Sequence, residues 1–391
     1  MSTSYWLDRS SEKNKKHYDV VVVGAGISGV STVFWLQKED PNLKIALVEK
    51  HRLGFGASGR NAGFITCGSV EHFNRMITKH GLAEAVEIWK FAEHNLQLLQ
   101  EHILQENPGE IEFQKRGAYS LAAQDSELEE LKKVAKIMGE LKIPTESFSA
   151  TEIERNVGAH QFVGGIKYLD DAETNPYKLL QRIVSKLKCD IYESTEAYEH
   201  VATNNGTRIL KTDNGDFEAD LIVYTLNGYS PTVHPYFADK IYPTRAQILM
   251  MEPVAPFMNG PCYANFYLDY FRQMPGGALL IGGFRQLEKA TEVGYSDHVT
   301  DVIQQALHHF VQTHLPQLRD KKISHRWSGV MGFSRDGQPM VGSLPDDNQI
   351  FFCGGYTGHG MGLAFHTGKQ LVNQIFGRDV PKWLSARRFS S

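Results

Sequence analysis

The chain has 391 residues, 41% apolar and 22% charged, the composition of a soluble globular protein long enough for two or three folding units. Its 41 basic residues stand against 45 acidic ones, a formal net charge of -4, with no basic run beyond residues 13–16, which argues against phosphate-backbone binding as the main task. Four scattered cysteines, Cys67, Cys189, Cys262 and Cys353, lack Cys-x-x-Cys or zinc-type spacing, so neither a disulfide scaffold nor a metal site is expected.

Residues 1–17 are polar and charged and read as a flexible N-terminal arm, without the apolar core of a secretory signal. The longest apolar stretch, residues 20–36, is broken by glycines and is short for a transmembrane helix. A cytoplasmic protein without a transmembrane segment is the expectation.

Residues 18–23 (YDVVVV) show the pattern of a strand buried on both faces. Gly24-Ala25-Gly26-Ile27-Ser28-Gly29 follows at once. Residues 30–37 then read as a helix, and residues 44–48 as a second buried strand closed by Glu49 and Lys50. Gly24 lets the strand turn tightly, Gly26 lets a pyrophosphate approach the backbone, and Gly29 lets helix and sheet pack closely. The helix start at Ile27 and Ser28 offers N–H groups and partial positive charge to phosphates. Glu49 can accept hydrogen bonds from ribose hydroxyls. The whole strand, turn, helix, strand and acid predicts dinucleotide binding. Residues 54–59 repeat the same letters but follow no strand and lead into Arg60-Asn61, so they are not read as a second nucleotide fold.

Residues 71–106 read as one helix, with Leu82, Val86, Trp89, Ala92, Leu96, Leu99 and Ile103 recurring every three or four positions. Residues 117–122 and 165–169 read as strands, 177–187 as a helix, and 190–192 and 207–212 as strands. Residues 220–225 form a further buried strand. Open α/β sheets present ligands at the carboxyl ends of their strands, which predicts Thr225 to Gly228 near the nucleotide. Residues 247–251, 267–272 and 279–285 read as an outer sheet covered by a helix over 299–314. Residues 349–353 form a strand that leads through a glycine-rich turn, residues 354–362, into a helix over 361–376.

Two places could carry chemistry. Strand alternation puts Tyr270 and Arg272 on one face. If that face is inward, Arg272 can clamp a carboxylate, and Tyr270 can donate a hydrogen bond or stack on an amine. If it is outward, both are solvated. His359, in the last glycine-rich turn, is either a cavity-facing proton acceptor or a residue that holds its loop.

These segments resemble the D-amino-acid oxidase-like (DAO) family of FAD-dependent oxidoreductases, over about residues 18–376. The resemblance is carried by the first strand with GAGISG and VEK, GASGRNAG at 56–63, Trp327-Ser328-Gly329, DGQPMVG at 336–342, and GGYTGHGMG at 354–362. The Ser-Gly-Arg-Asn and Gly-Tyr-Thr-Gly-His-Gly segments are closest in texture to γ-glutamylputrescine oxidase-like and glycine/sarcosine oxidase-like members.

The resemblance implies an α/β fold, α+β overall. A Rossmann-like FAD-binding domain over residues 18–80, 171–234 and 326–380 is interleaved with a mixed or antiparallel-sheet substrate domain over 81–170 and 235–325. It implies FAD, with Ser58, Gly59, Arg60, Asn61 and Ala62 along the isoalloxazine, and Gly358, His359, Gly360 and Met361 at flavin N1 and C2=O, where a helix start stabilises reduced-flavin charge. Relatives that tether FAD use a histidine near position 61 or a cysteine near position 329. Asn61 and Gly329 stand there, so non-covalent FAD is expected. Glycine oxidase-like members place a carboxylate-binding arginine where Met331 stands, which shifts the expected substrate toward an amine or N-substituted amino acid. The expected reaction is oxidation of the C–N bond by hydride transfer to flavin N5, giving an imine that hydrolyses. Oxygen or an electron carrier is the acceptor, and no nucleic acid is expected as a partner. Two other readings are a tRNA wobble-uridine-modifying flavoenzyme and a flavin-binding assembly factor without turnover.

Overall fold

The computed structural model describes residues 16–265 and 269–389. The expected arm lies outside the described residues up to residue 15, as does the start of the strand expected over 267–272. The chain divides into two compact units: Met1–Gly59, Tyr177–Thr244 and Met331–Ser391 form one, and Arg60–Pro176 and Arg245–Val330 the other. The first crossover therefore falls at 59/60 instead of 80/81, because the helix Val70–His80 packs against Leu82–His102 and Asp125–Glu140 of the second unit.

The first unit is built on a mostly parallel sheet. Lys16–Val23 lies at its centre, parallel to Phe217–Tyr224 on one side and Ile45–Val48 on the other, with Val20 opposite both Leu221 and Ile45. Asp190–Tyr192 extends it beyond Ile45–Val48, and Ile350–Gly354 extends it beyond Phe217–Tyr224. Met340–Ser343 closes that edge antiparallel. Ile45–Val48 is wholly buried, as a strand covered on both faces must be. Two helices, Ile27–Glu39 and Gly360–Ile375, cross closely. A Cβ at Gly368 would lie 3.1 Å from Ser31 Cβ, and Trp35 Nε1 donates to the Phe365 carbonyl at 2.9 Å.

The second unit holds a mostly antiparallel sheet. Its order runs through Ile323–Ser334, Ile241–Met251, Leu279–Gly282, Asp269–Gln273, Cys262–Ala264, Ala118–Ala122, Gly164–Tyr168 and Thr145–Ser149. The one parallel junction among the printed pairings joins Cys262–Ala264 to Ala118–Ala122. Leu249, Met251, Phe271 and Ile281 share a buried cluster with Ile303, Leu307, Phe310 and Val311 of the helix Asp301–His314. Each such side chain contributes about 1.5–3 kcal/mol on burial.

The single helix expected over 71–106 is two, Val70–His80 and Leu82–His102. Gly81 sits between them at φ +81°, its N–H capping Ile77 and its carbonyl accepting Ala85 N–H. Apolar spacing continues across the break and conceals it, while glycine adopts the positive φ without strain. The strand expected over 279–285 stops at Gly282, and Arg285–Glu288 forms a short 3-10 turn. No helix among the described residues is long and apolar enough to cross a membrane.

Candidate functional site

In the first unit the nucleotide motif folds into a cradle. Gly24 turns the chain at φ +101°. A Cβ at Gly29 would overlap the Gly24 carbonyl oxygen and lie 2.9 Å from Thr225 Oγ1, so only glycine permits this approach of helix and sheet. Thr225 Oγ1 lies 2.9 and 2.8 Å from the Val23 and Gly24 carbonyls, donating to fix the turn from the neighbouring strand. The helix Ile27–Glu39 has no acidic residue in its first turn, which leaves its positive end uncompensated by carboxylates there. Ser58 Oγ accepts the Ile27 N–H at 2.8 Å, and a Cβ at Gly26 would come within 2.9 Å of that hydroxyl. Gly26 thus makes room for Ser58 as well as for a ligand. Glu49 is aimed by two backbone donors, Ala25 N–H at 2.9 Å and His51 N–H at 3.0 Å. Lys50 pairs instead with Glu196 at 2.8 Å on the surface. This donor set, with side chains absent where backbone must be reached, fits the pyrophosphate and ribose of a dinucleotide.

The second glycine-rich turn lies in the same unit. Gly355, Thr357 and Gly358 all have positive φ, and His359 caps the helix Gly360–Ile375 with no side-chain bond to the helix start. His359 Nδ1 lies 3.1 Å from the Thr357 carbonyl, a bond that holds the loop. Gly355 N–H donates to Asn227 Oδ1 at 3.0 Å. Met361, beside Gly360, is buried. Ser28 Oγ donates to Tyr356 Oη at 2.8 Å, so the two turns share a buried hydrogen bond.

The remaining expected residues belong to the second unit. Arg60 donates to the Ser328 carbonyl at 2.9 Å and lies 3.4 Å from Asp297, while its own carbonyl accepts Trp327 Nε1 at 2.8 Å. Asn61 Oδ1 accepts Gly63 N–H at 2.7 Å. Ala62 packs with Ile248 and Leu280 in a cluster that also gathers Phe64, Tyr270 and Trp327. Tyr270 therefore lies on the sheet face opposite the helix Asp301–His314. Phe64 stands edge-on to both Tyr263 and Tyr270, at 5.4 and 5.8 Å, making an aromatic face.

Arg272 is 1% exposed. It donates to Glu173 Oε2 at 3.1 Å and to the Thr174 carbonyl at 2.7 Å, and Arg116 Nε holds the other Glu173 oxygen at 2.9 Å. Its Nε is buried without a hydrogen-bond partner. The guanidinium is already engaged and does not offer the two-pronged fork that a carboxylate clamp needs. Cys353 and Cys67 are both buried; burial pushes the Cys353 thiol up to about 11 and that of Cys67 well above its usual range.

Glu173 and Tyr263 were not expected from sequence. Their partners lie far off in the chain, and nothing local marks them. Three metal-competent side chains, His17, Asp19 and Asp220, come within 4.8 Å of one another, although sequence spacing suggested no metal site.

A family model described as FAD dependent oxidoreductase matches residues 19–374. The chain is 26% identical to a probable oxidoreductase OrdL of Haemophilus influenzae, over 93% of this chain and 84% of that protein. It is 24% identical to the gamma-glutamylputrescine oxidoreductase of Escherichia coli, over 93% and 85%. Glycine oxidase from Geobacillus kaustophilus has a similar structure, with a TM-score of 0.79 at 20% identity, covering 94% of this chain and 96% of that one.

Proposed function

The chain belongs to the DAO family of FAD-dependent oxidoreductases, and on that premise we propose that it oxidises the C–N bond of an amine or N-substituted amino acid. FAD, where bound, would supply the two-electron acceptor for this oxidation, whose imine product water would hydrolyse. Gly24, Gly26, Ile27, Ser28, Gly29 and Glu49 hold the dinucleotide end, and Thr225 braces their turn. Ser58 to Ala62 and Gly358 to Met361 serve the flavin ring.

The observation that carries the amine reading is the state of Arg272. Arg272 is 1% exposed and bonded to Glu173 and the Thr174 carbonyl, so it is closed to an α-carboxylate, and Met331 supplies no charge. The aromatic face of Phe64, Tyr263 and Tyr270 suits a cationic or neutral amine, which it can orient by ring contact. Tyr270 orients the amine, and its burial raises the phenol, so it acts as a hydrogen-bond donor and not as a base. His359 holds its loop and, through it, the helix start.

Non-covalent FAD is part of the same reading. Asn61 and Gly329 offer no tethering atom, and the Cys67 and Cys353 thiols are buried and protonated. Acid precipitation should release all yellow colour into the supernatant; colour kept in the pellet rejects this.

The test of function is anaerobic bleaching of the flavin band by a panel of polyamine derivatives, N-alkyl amino acids and transfer RNA. Bleaching by amines supports the proposal, bleaching by RNA replaces it with base modification, and a band that stays yellow throughout points to an assembly factor. An oxygen-electrode trace with the bleaching substrate separates oxygen from an electron carrier as acceptor.

A further inference from the structure

The first unit carries a side-chain cluster apart from its glycine-rich turns. The ligand-competent atoms of His17, Asp19 and Asp220 all lie within 4.8 Å of one another. The backbone explains why they meet. His17 and Asp19 stand two residues apart on the strand Lys16–Val23, and alternation turns them to one face. That strand runs parallel to Phe217–Tyr224, with Tyr18 opposite Ala219 and Val20 opposite Leu221, so the register sets Asp220 beside Asp19. Tyr18 and Ala219 are buried in one apolar cluster, while His17 and Asp220 are exposed on the other side.

The neighbouring basic side chains are engaged elsewhere. Lys16 Nζ donates to Tyr192 Oη at 2.9 Å, and Lys44 Nζ sits 5.2 Å above the Tyr18 ring. Lys44 gives Asp19 only its backbone N–H, at 2.6 Å from Oδ2. Among the described residues no lysine or arginine pairs with Asp19 or Asp220, whereas the close acid Glu173 of the second unit is held by two arginines. Glu218, opposite His17, is occupied by Thr207 Oγ1 at 2.7 Å and adds negative charge nearby. Two carboxylates brought together without a basic partner repel each other. The imidazole beside them supplies a nitrogen lone pair, and a cation bound by all three relieves the repulsion.

We propose that His17, Asp19 and Asp220 bind a divalent ion of the zinc class. One imidazole and two carboxylates suit zinc, whereas calcium and magnesium favour oxygen ligands throughout. Zinc bonds of about 2.1 Å set tetrahedral ligand atoms about 3.4 Å apart. From a spread of up to 4.8 Å the cluster closes by about 1.4 Å at most, which small side-chain rotations supply while the strands stay in place. Water takes the fourth position. The ion joins the amino ends of the two strands whose carboxyl ends lead into Gly24 and Thr225. Asp19 and Gly24 are about 17 Å apart along the strand, so the ion clamps the strand pair and takes no part in the chemistry at the glycine-rich turns.

Titration of untagged, flavin-loaded protein with zinc chloride, in competition with a chromophoric chelator, tests the site without substrate. The wild type should take up about one ion per chain at this site. His17→Ala and Asp220→Asn change exposed side chains and leave the core intact; each should weaken binding about tenfold or more. Saturating zinc should raise the melting temperature of the wild type by about 3 °C or more and leave that of Asp220→Asn in place, and magnesium should raise neither. A wild type that takes up no zinc overturns the proposal. Equal zinc affinity in the wild type and both variants overturns it too, since the ion would then sit on other histidines. Neither readout depends on whether an amine bleaches the flavin.

Discussion

Ser28 Oγ and Tyr356 Oη meet at 2.8 Å in the buried interior, tying the second residue of the helix Ile27–Glu39 to the turn that precedes Gly360–Ile375. Tyr356 Oη in turn donates to Cys353 Sγ at 3.7 Å. The bond makes one glycine-rich turn sense the position of the other. Tyr356→Phe removes the hydroxyl, keeps the ring and leaves the Ser28 hydroxyl short of an acceptor. FAD affinity should fall about tenfold, or ~1.4 kcal/mol. Titration of the apoprotein with FAD, followed by flavin fluorescence, measures it; an unchanged Kd would show that the bond serves packing only.

Gly29 is the tightest point of the cradle, where a Cβ would overlap the Gly24 carbonyl oxygen. The obstacle is backbone, which cannot rotate aside as a side chain can. Gly29→Ala should therefore cost about 3 kcal/mol or more and yield colourless protein. The ratio of flavin to protein absorbance after purification reads this directly.

Glu173 lies between two arginines, Arg116 and Arg272, and is itself buried. Removing the shared anion strands both guanidinium groups, one of them fully buried. Glu173→Gln should lower stability by about 3–5 kcal/mol, the cost of breaking a buried ion pair from one side. Urea denaturation gives the value; a loss below about 1 kcal/mol would mean that Arg272 finds another partner.

Glu71 predicts a pH dependence. It lies in the first turn of Val70–His80, in a small cavity also lined by Ser69, Ser120, Glu127 and Tyr263, and its Oε2 has no hydrogen-bond partner. Burial pushes its carboxyl up to about 7, with Arg75 opposing and Glu130 adding. A folded-state value above the unfolded one means that the folded protein holds the extra proton. This contribution is fully present below the ordinary value of 4.5 and is lost as pH rises through about 7. Between these limits the group should cost the wild type about 1–3 kcal/mol. Glu71→Gln should lack that slope and be the more stable form at about pH 8, with the two converging at low pH. Parallel slopes would reject the assignment.

Elements whose geometry is local can be read from neighbouring residues. The strand, glycine turn and helix at residues 18–37 could be read because a positive-φ glycine, a β-branched run and an apolar helix face each act within a few residues. The helix Asp125–Glu140 carries the same kind of signal in Leu131, Val134 and Met138, all buried, and Ala150–Val157 carries a capping box from Ser149 to Glu152. Both are legible in the local pattern. Gly81 shows the opposite case, where a helix break hides inside continuous apolar spacing.

The partners of the site residues follow from long-range contacts. Alternation grouped Tyr270 with Arg272, but Arg272 is spent on Glu173, 99 residues away. Gly26 is legible as a place for a ligand, but the bond of Ser58 to Ile27 N–H beside it is not, and Ser28 meets a tyrosine 328 residues on. Local pattern states which face of an element is buried. Which side chain waits on the other side depends on how distant segments pair, and so on the register and crossings of the whole sheet.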